Sequence, residues 1–160
     1  MLKQIGIQAK EAAGEIAVLS TDKKNQILQT MADELLKNSK KILDANKIDF
    51  KNSKDLDLTP ALIDRLSLSE ERINGMANGL LKIIPLEDPV GNITDSWKTD
   101  EGLHIKKIRS PFGVIGVIYE ARPNVTSDVS GLCLKSGNAV ILRGSSYCLD
   151  SNICLLYTSP

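Results

Sequence analysis

The sequence predicts an α/β protein in which a helical N-terminal part is followed by a β-hairpin and by the first βαβ unit of a Rossmann-like domain. Three patterns predict this order. Residues 3–84 carry apolar side chains at helical spacing, residues 92–109 form two strand-like segments around a turn that contains glycine, and two apolar runs rich in β-branched residues follow Ser110. Such runs are typical of strands buried on both faces of a parallel sheet.

The helical part divides into segments with recognisable starts. Ser20 or Thr21 can cap one helix, and a second helix runs to a charged end near Lys54. Pro60 lies in the first turn of a short helix, and Ser69 caps the helix after it. The apolar face expected for the helix after Ser20 comprises Ile27, Leu28, Met31, Leu35 and Leu36. The one expected for the helix after Ser69 comprises Ile73, Met76, Ala77, Leu80, Leu81 and Ile84.

The two apolar runs, "FGVIGVIY" and "NAVILRG", flank a segment that predicts a helix, "NVTSDVSGLCLKSGN". Asn124 or Thr126 can cap this helix, and Gly137 can end it. A strand, a helix and a strand within about 30 residues form one βαβ unit with a right-handed crossover. The side chains expected to face the sheet are Val125, Val129, Leu132 and Cys133.

Polar turns follow both predicted strands. "YEARPN" comes after the first strand and "RGSS" after the second, and because parallel strands end at one edge of a sheet, the turns are expected side by side. A guanidinium, hydroxyls and small residues there suit phosphate or ribose hydroxyl groups. These residues are Arg143, Gly144, Ser145 and Ser146. The G-x-G-x-x-G fingerprint is absent, and the turns are also compatible with solvated loops, with Asn124 as a helix cap and Arg122 paired with Glu120.

Composition and charge narrow the class of protein. Basic and acidic residues number 20 each and aromatic residues are 4%, so neither nucleic acid nor a membrane is expected as a partner. No apolar run approaches the ~20 residues of a membrane span, and a cytoplasmic location is expected. The cysteines, Cys133, Cys148 and Cys154, and the single His104 lack metal-ligand spacing, so no metal site is expected.

Five collinear motifs carry a resemblance to a known family. They are "ILDANKIDF", "RLSLSEERI", "LEDPVGNI", "VIYEARPNVT" and "CLKSGNAVILRG", and together they extend the similarity from about Leu2 to Asn152. The chain resembles the gamma-glutamyl phosphate reductases (glutamate-5-semialdehyde dehydrogenases) of the aldehyde dehydrogenase superfamily. The pairing of "YEARPNVT" with "LKSGNAVILRG" is the specific part of this resemblance.

The resemblance implies a reductase of proline biosynthesis that uses NADPH to convert L-glutamyl 5-phosphate to glutamate 5-semialdehyde. It implies Asn124 as the amide that stabilises the acyl oxyanion, and Arg143 as a contact to the cofactor ribose and phosphate. The remaining expected cofactor-binding residues are Gly144, Ser145, Ser146, Arg122 and Pro123. Ser145 departs from the family pattern, which has a second glycine at this position.

The resemblance also divides the chain. Residues 1–152 correspond to the N-terminal part of an aldehyde dehydrogenase-like cofactor-binding domain that includes the 92–109 hairpin, and residues 153–160 are expected to be a non-native tail. The nucleophilic cysteine is expected to lie outside this truncated chain, which alone should be inactive. A homo-oligomer formed through the hairpin is implied, and glutamate 5-kinase is a candidate partner. Two alternatives are a short non-catalytic binding partner of the full-length enzyme and an NAD-dependent aldehyde dehydrogenase.

Overall fold

A computed structural model describes residues 2–53 and 58–158, and in them the helical part, the hairpin and the βαβ unit follow one another as predicted. The helical part comprises α1 (Leu2–Ala17), α2 (Thr21–Lys37), α3 (Ser39–Asn52), α4 (Pro60–Leu66) and α5 (Glu70–Ile83). The hairpin strands are β1 (Ile93–Lys98) and β2 (His104–Ile108). After them come β3 (Val114–Ile118), α6 (Asn124–Lys135), β4 (Ala139–Arg143), a short 3-10 turn (Ser146–Cys148) and α7 (Leu149–Thr158).

Local side-chain caps begin three helices of the N-terminal part. Ser20 Oγ accepts a hydrogen bond from the Lys23 amide at 3.3 Å, and Ser69 Oγ accepts one from the Arg72 amide at 3.1 Å. Thr59 caps α4, whose first residue is Pro60. Because a cap joins residues only three positions apart, the sequence alone specifies it, and the predictions at Ser20, Pro60 and Ser69 are confirmed.

The main core lies between α2 and α5 and is closed by α6. Most residues of the two predicted apolar faces are buried in it, but Leu36 is 43% exposed, and Ile83 rather than Leu81 or Ile84 is buried. Gly131 of α6 allows this helix to approach closely, because a Cβ atom there would lie 2.5 Å from Leu80 Cδ2. The buried members of this core are Leu28, Met31, Ala32, Leu35, Ile42, Ile73, Met76, Ala77, Leu80, Ile83 and Leu155.

Strands β3 and β4 are parallel, with Ile118 opposite Arg143. The prediction that they are buried on both faces is wrong, since β3 alternates between exposed and half-buried residues and Ile118 is 86% exposed. Helix α1 contacts both strands and α6 contacts β4. Within the described residues the sheet has only these two strands, so its apolar side chains are incompletely covered.

Helix α6 differs from its prediction in two ways. It begins at Asn124 with Pro123 at the cap position and has no side-chain cap, so neither Asn124 nor Thr126 caps it. Leu132, expected to face the sheet, is 53% exposed, whereas Cys133 is buried. The close contact at Gly131 fixes the rotation of α6 against α5, and this rotation turns Leu132 outward.

The hairpin projects from the rest of the chain. Its strands pair antiparallel, with Trp97 opposite Ile105, and every residue of both strands is exposed, including His104. Both strands lie within the predicted hairpin, residues 92–109.

Helix α7 is attached to α3 by buried polar groups. The Asp49 carboxylate accepts hydrogen bonds from the Asp150 amide at 3.0 Å, the Ser151 amide at 2.8 Å and the Ser151 hydroxyl at 2.5 Å. The Asn46 side chain donates to Ser151 Oγ at 3.0 Å and to Leu66 O at 2.9 Å. Residues 153–158 of the expected tail are thus part of α7, and their non-native origin stays a prediction. Residues 159–160 and the charged segment predicted near Lys54 lie outside the described residues.

Candidate functional site

The two polar turns lie side by side at one edge of the sheet, as predicted. The Tyr119 amide donates to Arg143 O at 3.1 Å, which extends the β3–β4 pairing to the start of both turns. Beyond this point the Cys148 thiol, in the second turn, lies 3.8 Å from Glu120 O in the first. Parallel pairing therefore brings together residues that are more than 20 positions apart in the sequence.

The second turn borders a cavity of about 160 Å³, which we call the strand-end cavity. It is lined by Tyr119, Thr126, Leu142, Gly144, Ser145, Leu149, Asn152, Ile153 and Leu156. Thr126 Oγ1 donates to Asn152 Oδ1 at 3.0 Å, so it accepts at 2.7 Å from the Tyr119 hydroxyl. Burial raises the pKa of Tyr119, which keeps the phenol protonated as a donor.

Gly144 is required by the close approach of side chains around this cavity. A Cβ atom at this position would lie 2.3 Å from Asn152 Nδ2 and 3.2 Å from the Tyr119 ring. The neighbouring Ser145 uses its hydroxyl within the turn, where it accepts from the Tyr147 amide at 3.2 Å. The guanidinium of Arg143 is exposed and donates to Gly144 O, and Ser146 is exposed beside it.

The first turn borders a different and larger space, a cleft of about 430 Å³ that we call the α5–α6 cleft. It is lined by Asp64, Arg65, Ser67, Leu68, Arg72, Gly75, Met76, Arg122, Asn124 and Asp128. Asn124 Nδ2 donates to Asp128 Oδ2 at 3.0 Å, one helical turn further along α6. Burial raises the pKa of the Asp128 carboxyl, and the hydrogen bond from Asn124 acts in the opposite direction.

The predicted site residues therefore divide between two spaces. Asn124 and Arg122 line the α5–α6 cleft, whereas Gly144 and Ser145 line the strand-end cavity. Pro123 is fully buried and lines neither. Among residues 2–53 and 58–158, Arg122 and Glu120 do not form the ion pair that was considered as an alternative. Their hydrogen bond joins backbone groups instead: the Arg122 amide donates to Glu120 O at 2.8 Å.

Several polar residues at these spaces were not singled out by the sequence analysis. Asp128 has a local signal, since it lies four positions after Asn124 and so on the same helical face. Tyr119 is the first residue of the polar turn "YEARPN", whereas Arg65 and Asn152 have no local signal, because they reach the two spaces only through the packing of α4 and α7.

All three cysteines have free thiols in this structure. Burial raises the pKa of Cys133, Cys148 and Cys154, which disfavours their thiolate forms. In the described part of the chain no group of three His, Cys, Asp or Glu side chains is arranged to hold a metal ion. None of the described helices combines the length and the apolar character needed to cross a membrane.

Comparisons with known proteins identify the relatives of this chain. No protein-family profile matches it. The gamma-glutamyl phosphate reductase of Thermodesulfovibrio yellowstonii is 52% identical over 149 residues, which are 93% of this chain and 36% of that protein. The enzyme of the same name from Desulforamulus reducens is 48% identical over 155 residues, 97% of this chain and 37% of that protein.

Solved structures agree with the sequence relatives. The crystal structure of gamma-glutamyl phosphate reductase from Thermotoga maritima matches 98% of this chain with a TM-score of 0.95 and 39% identity, and the match covers 38% of that enzyme. The Saccharomyces cerevisiae enzyme matches with a TM-score of 0.92 and 32% identity, over 40% of its length. A probable aldehyde dehydrogenase from Listeria monocytogenes, 13% identical with a TM-score of 0.65, shares the fold.

The chain thus spans a little more than one third of the length of the relatives it matches. The five motifs and the aldehyde dehydrogenase-like fold predicted from them agree with these relatives, and the resemblance is confirmed: over the part that it spans, this chain is a homologue of gamma-glutamyl phosphate reductase.

Proposed function

We propose that this chain forms part of an oxidoreductase that converts L-glutamyl 5-phosphate to L-glutamate 5-semialdehyde, with release of phosphate, in proline biosynthesis. The observation that carries the proposal is the likeness to gamma-glutamyl phosphate reductases. The sequence is 52% identical to the Thermodesulfovibrio yellowstonii protein over 149 residues, and the structure matches the Thermotoga maritima protein with a TM-score of 0.95. The relatives are named as reductases or as an aldehyde dehydrogenase, which favours a nicotinamide cofactor. We assign NADPH as that cofactor.

The residues at the β4 end fit one end of such a cofactor. Arg143 presents an exposed guanidinium and Ser146 an exposed hydroxyl, and Gly144, between them in the sequence, lines the strand-end cavity. These groups suit a ribose and its phosphate, with Arg143 as the charge partner that the extra phosphate of NADPH requires. The strand-end cavity, at 160 Å³, has room for part of a dinucleotide. When bound, the cofactor supplies the hydride.

Asn124 is proposed to stabilise negative charge on the acyl oxygen. Its amide nitrogen carries two N–H groups, and only one of them donates to Asp128. Asp128 holds the amide in one orientation, and the second N–H group remains available to an oxyanion. The cysteine that would attack the acyl phosphate and displace phosphate is assigned to a part of the protein outside this chain.

The exposed hairpin supports the further proposal of a homo-oligomer in the whole enzyme. Ile93, Trp97 and Ile108 are each about half exposed on its strands, and apolar side chains in that setting favour contact with another chain. Contact with glutamate 5-kinase remains a proposal that follows from the resemblance, and a cytoplasmic location remains a proposal that follows from the sequence.

The proposed activity can be tested in a chimera in which residues 2–152 of this chain replace the matched part of the Thermotoga maritima reductase. We expect the chimera to form NADPH from NADP⁺, phosphate and glutamate semialdehyde, the reverse of the proposed reaction. Asn124→Ala in the chimera is expected to lower kcat by about 100-fold or more, far beyond the effect of losing its hydrogen bond to Asp128 on the fold.

A folded but inactive chimera, or an Asn124→Ala chimera with unchanged kcat, would contradict the proposal. The 160-residue chain alone serves as a second test. We expect it to show no NADPH-dependent turnover, and measurable turnover would overturn the assignment of the nucleophile to another part of the protein.

A further inference from the structure

The α5–α6 cleft contains two guanidinium groups that are not used by the fold. Within the described ranges, 2–53 and 58–158, neither Arg65 nor Arg122 has a side-chain hydrogen bond or an ion pair, and both residues are exposed. Their positive charges therefore face the cleft and solvent without a protein anion to neutralise them. Such a pair is suited to a carboxylate or a phosphate oxygen of a ligand.

Arg72, the third arginine of the cleft, differs from Arg65 and Arg122 because its guanidinium is hydrogen-bonded within the fold. Its guanidinium donates to Ser67 O at 2.7 Å and to Asp64 Oδ1 at 2.7 Å. It also donates to Asp64 O. Arg72 thus fixes the segment that connects α4 to α5, and Arg65 lies just before that segment, in the last turn of α4. The position of Arg65 is set by the fold, while its charge remains available.

The cleft also contains a carboxylate, that of Asp128. Asp128 is half-buried, and one of its two oxygens accepts from Asn124. Among residues 2–53 and 58–158 the other oxygen, Oδ1, accepts no hydrogen bond, and it lies 3.5 Å from the position that a Cβ atom on Gly79 would occupy. Leu68 and Met76 also line the cleft and provide apolar surface. The cleft thus presents cationic, anionic and apolar groups together with the proposed oxyanion donor Asn124.

We infer that the α5–α6 cleft binds the α-amino-acid end of the substrate, with Arg65 and Arg122 on its carboxylate and Asp128 on its ammonium group. This inference rests on the proposed function, because gamma-glutamyl phosphate carries a zwitterionic end and an acyl end joined by two methylene groups. The methylene groups lie against Met76, and the acyl carbon reaches Asn124. The cleft volume of 430 Å³ lies within the usual range for small-ligand sites.

Binding to the 160-residue chain tests the inference without requiring catalysis. The probes are L-glutamine, which has the zwitterionic end and an uncharged acyl group, and 4-aminobutanamide, which lacks the α-carboxylate. We expect L-glutamine to shift the NMR signals of the Arg65 and Arg122 side chains in a saturable manner. We expect 4-aminobutanamide to bind at least about tenfold more weakly, since it loses a charge-assisted contact.

Two variants and a matched control identify the contacts. Arg65→Gln and Arg122→Gln are each expected to weaken L-glutamine binding about tenfold or more, because a charged hydrogen-bond partner is lost. Arg109→Gln removes an exposed guanidinium outside the cleft and is expected to leave binding unchanged. Equal affinity for both probes, no saturable binding at millimolar L-glutamine, or wild-type affinity in both variants would overturn the inference.

The chimera separates failure of this inference from failure of the proposed function. If the chimera is active, Arg65→Gln and Arg122→Gln should raise KM for glutamate semialdehyde about tenfold and leave KM for NADP⁺ unchanged. An active chimera whose KM values do not respond to either variant refutes the cleft assignment and retains the reductase. An inactive chimera combined with arginine-dependent L-glutamine binding refutes the reductase activity and retains an amino-acid site.

Discussion

Replacement of Asp49 by alanine should detach α7 from α3. The Asp49 side chain is 2% exposed and accepts three hydrogen bonds from Asp150 and Ser151, more than 100 positions away. Two of the donors are backbone amides in the first turn of α7, so Asp49 acts as a cap supplied by another helix. Its removal leaves the buried amide of Ser151 without an acceptor.

The expected loss combines two destabilising contributions with one that opposes them. A buried donor left without a partner costs about 1–3 kcal/mol, and loss of a helix cap costs roughly 0.5–2 kcal/mol. Burial raises the pKa of Asp49, while the hydrogen bonds from Ser151 and Asp150 lower it, so the ionised carboxylate itself carries a desolvation penalty that the substitution removes. We expect Asp49→Ala to lower the free energy of unfolding by about 2–3 kcal/mol.

Asp49→Asn is the matched control. The amide keeps an acceptor oxygen and nearly the same shape, and it carries no charge to desolvate, so a loss of only about 1 kcal/mol is expected. Urea unfolding measures both values, and hydrogen exchange should show faster exchange at α7 amides in the alanine variant than in the asparagine variant. An alanine variant as stable as the parent chain, or one whose α7 amides keep full protection, would refute the view that Asp49 holds α7.

Three further predictions concern the core, the α5–α6 cleft and the ion pair between Lys24 and Asp88. Gly131→Ala should destabilise the chain by about 1–2 kcal/mol in urea unfolding, because overpacking outweighs the gain in helix propensity. Gly14→Ala is the control and should stabilise the chain, because a Cβ atom at Gly14 would meet no atom within 4 Å. Stabilisation by both substitutions would contradict the close packing of α6. The Asp128→Asn variant should be more stable than the parent chain near pH 7 but no more stable near pH 3. Burial raises the pKa of Asp128, so the folded parent chain loses stability as this carboxyl ionises with rising pH. Urea midpoints that differ equally at both pH values would count against this explanation. The Lys24 ammonium is fully buried and lies 2.9 Å from the Asp88 carboxylate. Lys24→Met should lower the free energy of unfolding by about 3 kcal/mol in the same assay, because Asp88 would keep a largely buried charge without its cation. An unchanged urea midpoint would show that the ion pair does not stabilise the fold.

The sequence determined the features that depend on near neighbours in the chain. The caps at Ser20 and Ser69 join residues three positions apart, and the order of helices, hairpin and βαβ unit follows from the periodicity of apolar side chains. The side-by-side placement of the two polar turns was also predictable, since parallel strands end at one edge. The five motifs were sufficient to identify the relatives that the comparisons found.

Tertiary structure alone decided which side chains meet. The sequence predicts Asn124 and Gly144 as residues of one site, but Asn124 lines a different cavity from Gly144, and this separation follows from how α6 packs against α5. The exposure of Leu132 and the contact of Asp49 with Ser151 likewise depend on helix rotation and on contacts across about 100 residues. Periodicity and caps fix where an element begins and which side is apolar, whereas the partner of each polar side chain is fixed only when the helices pack, because that packing determines which distant groups come within hydrogen-bond distance.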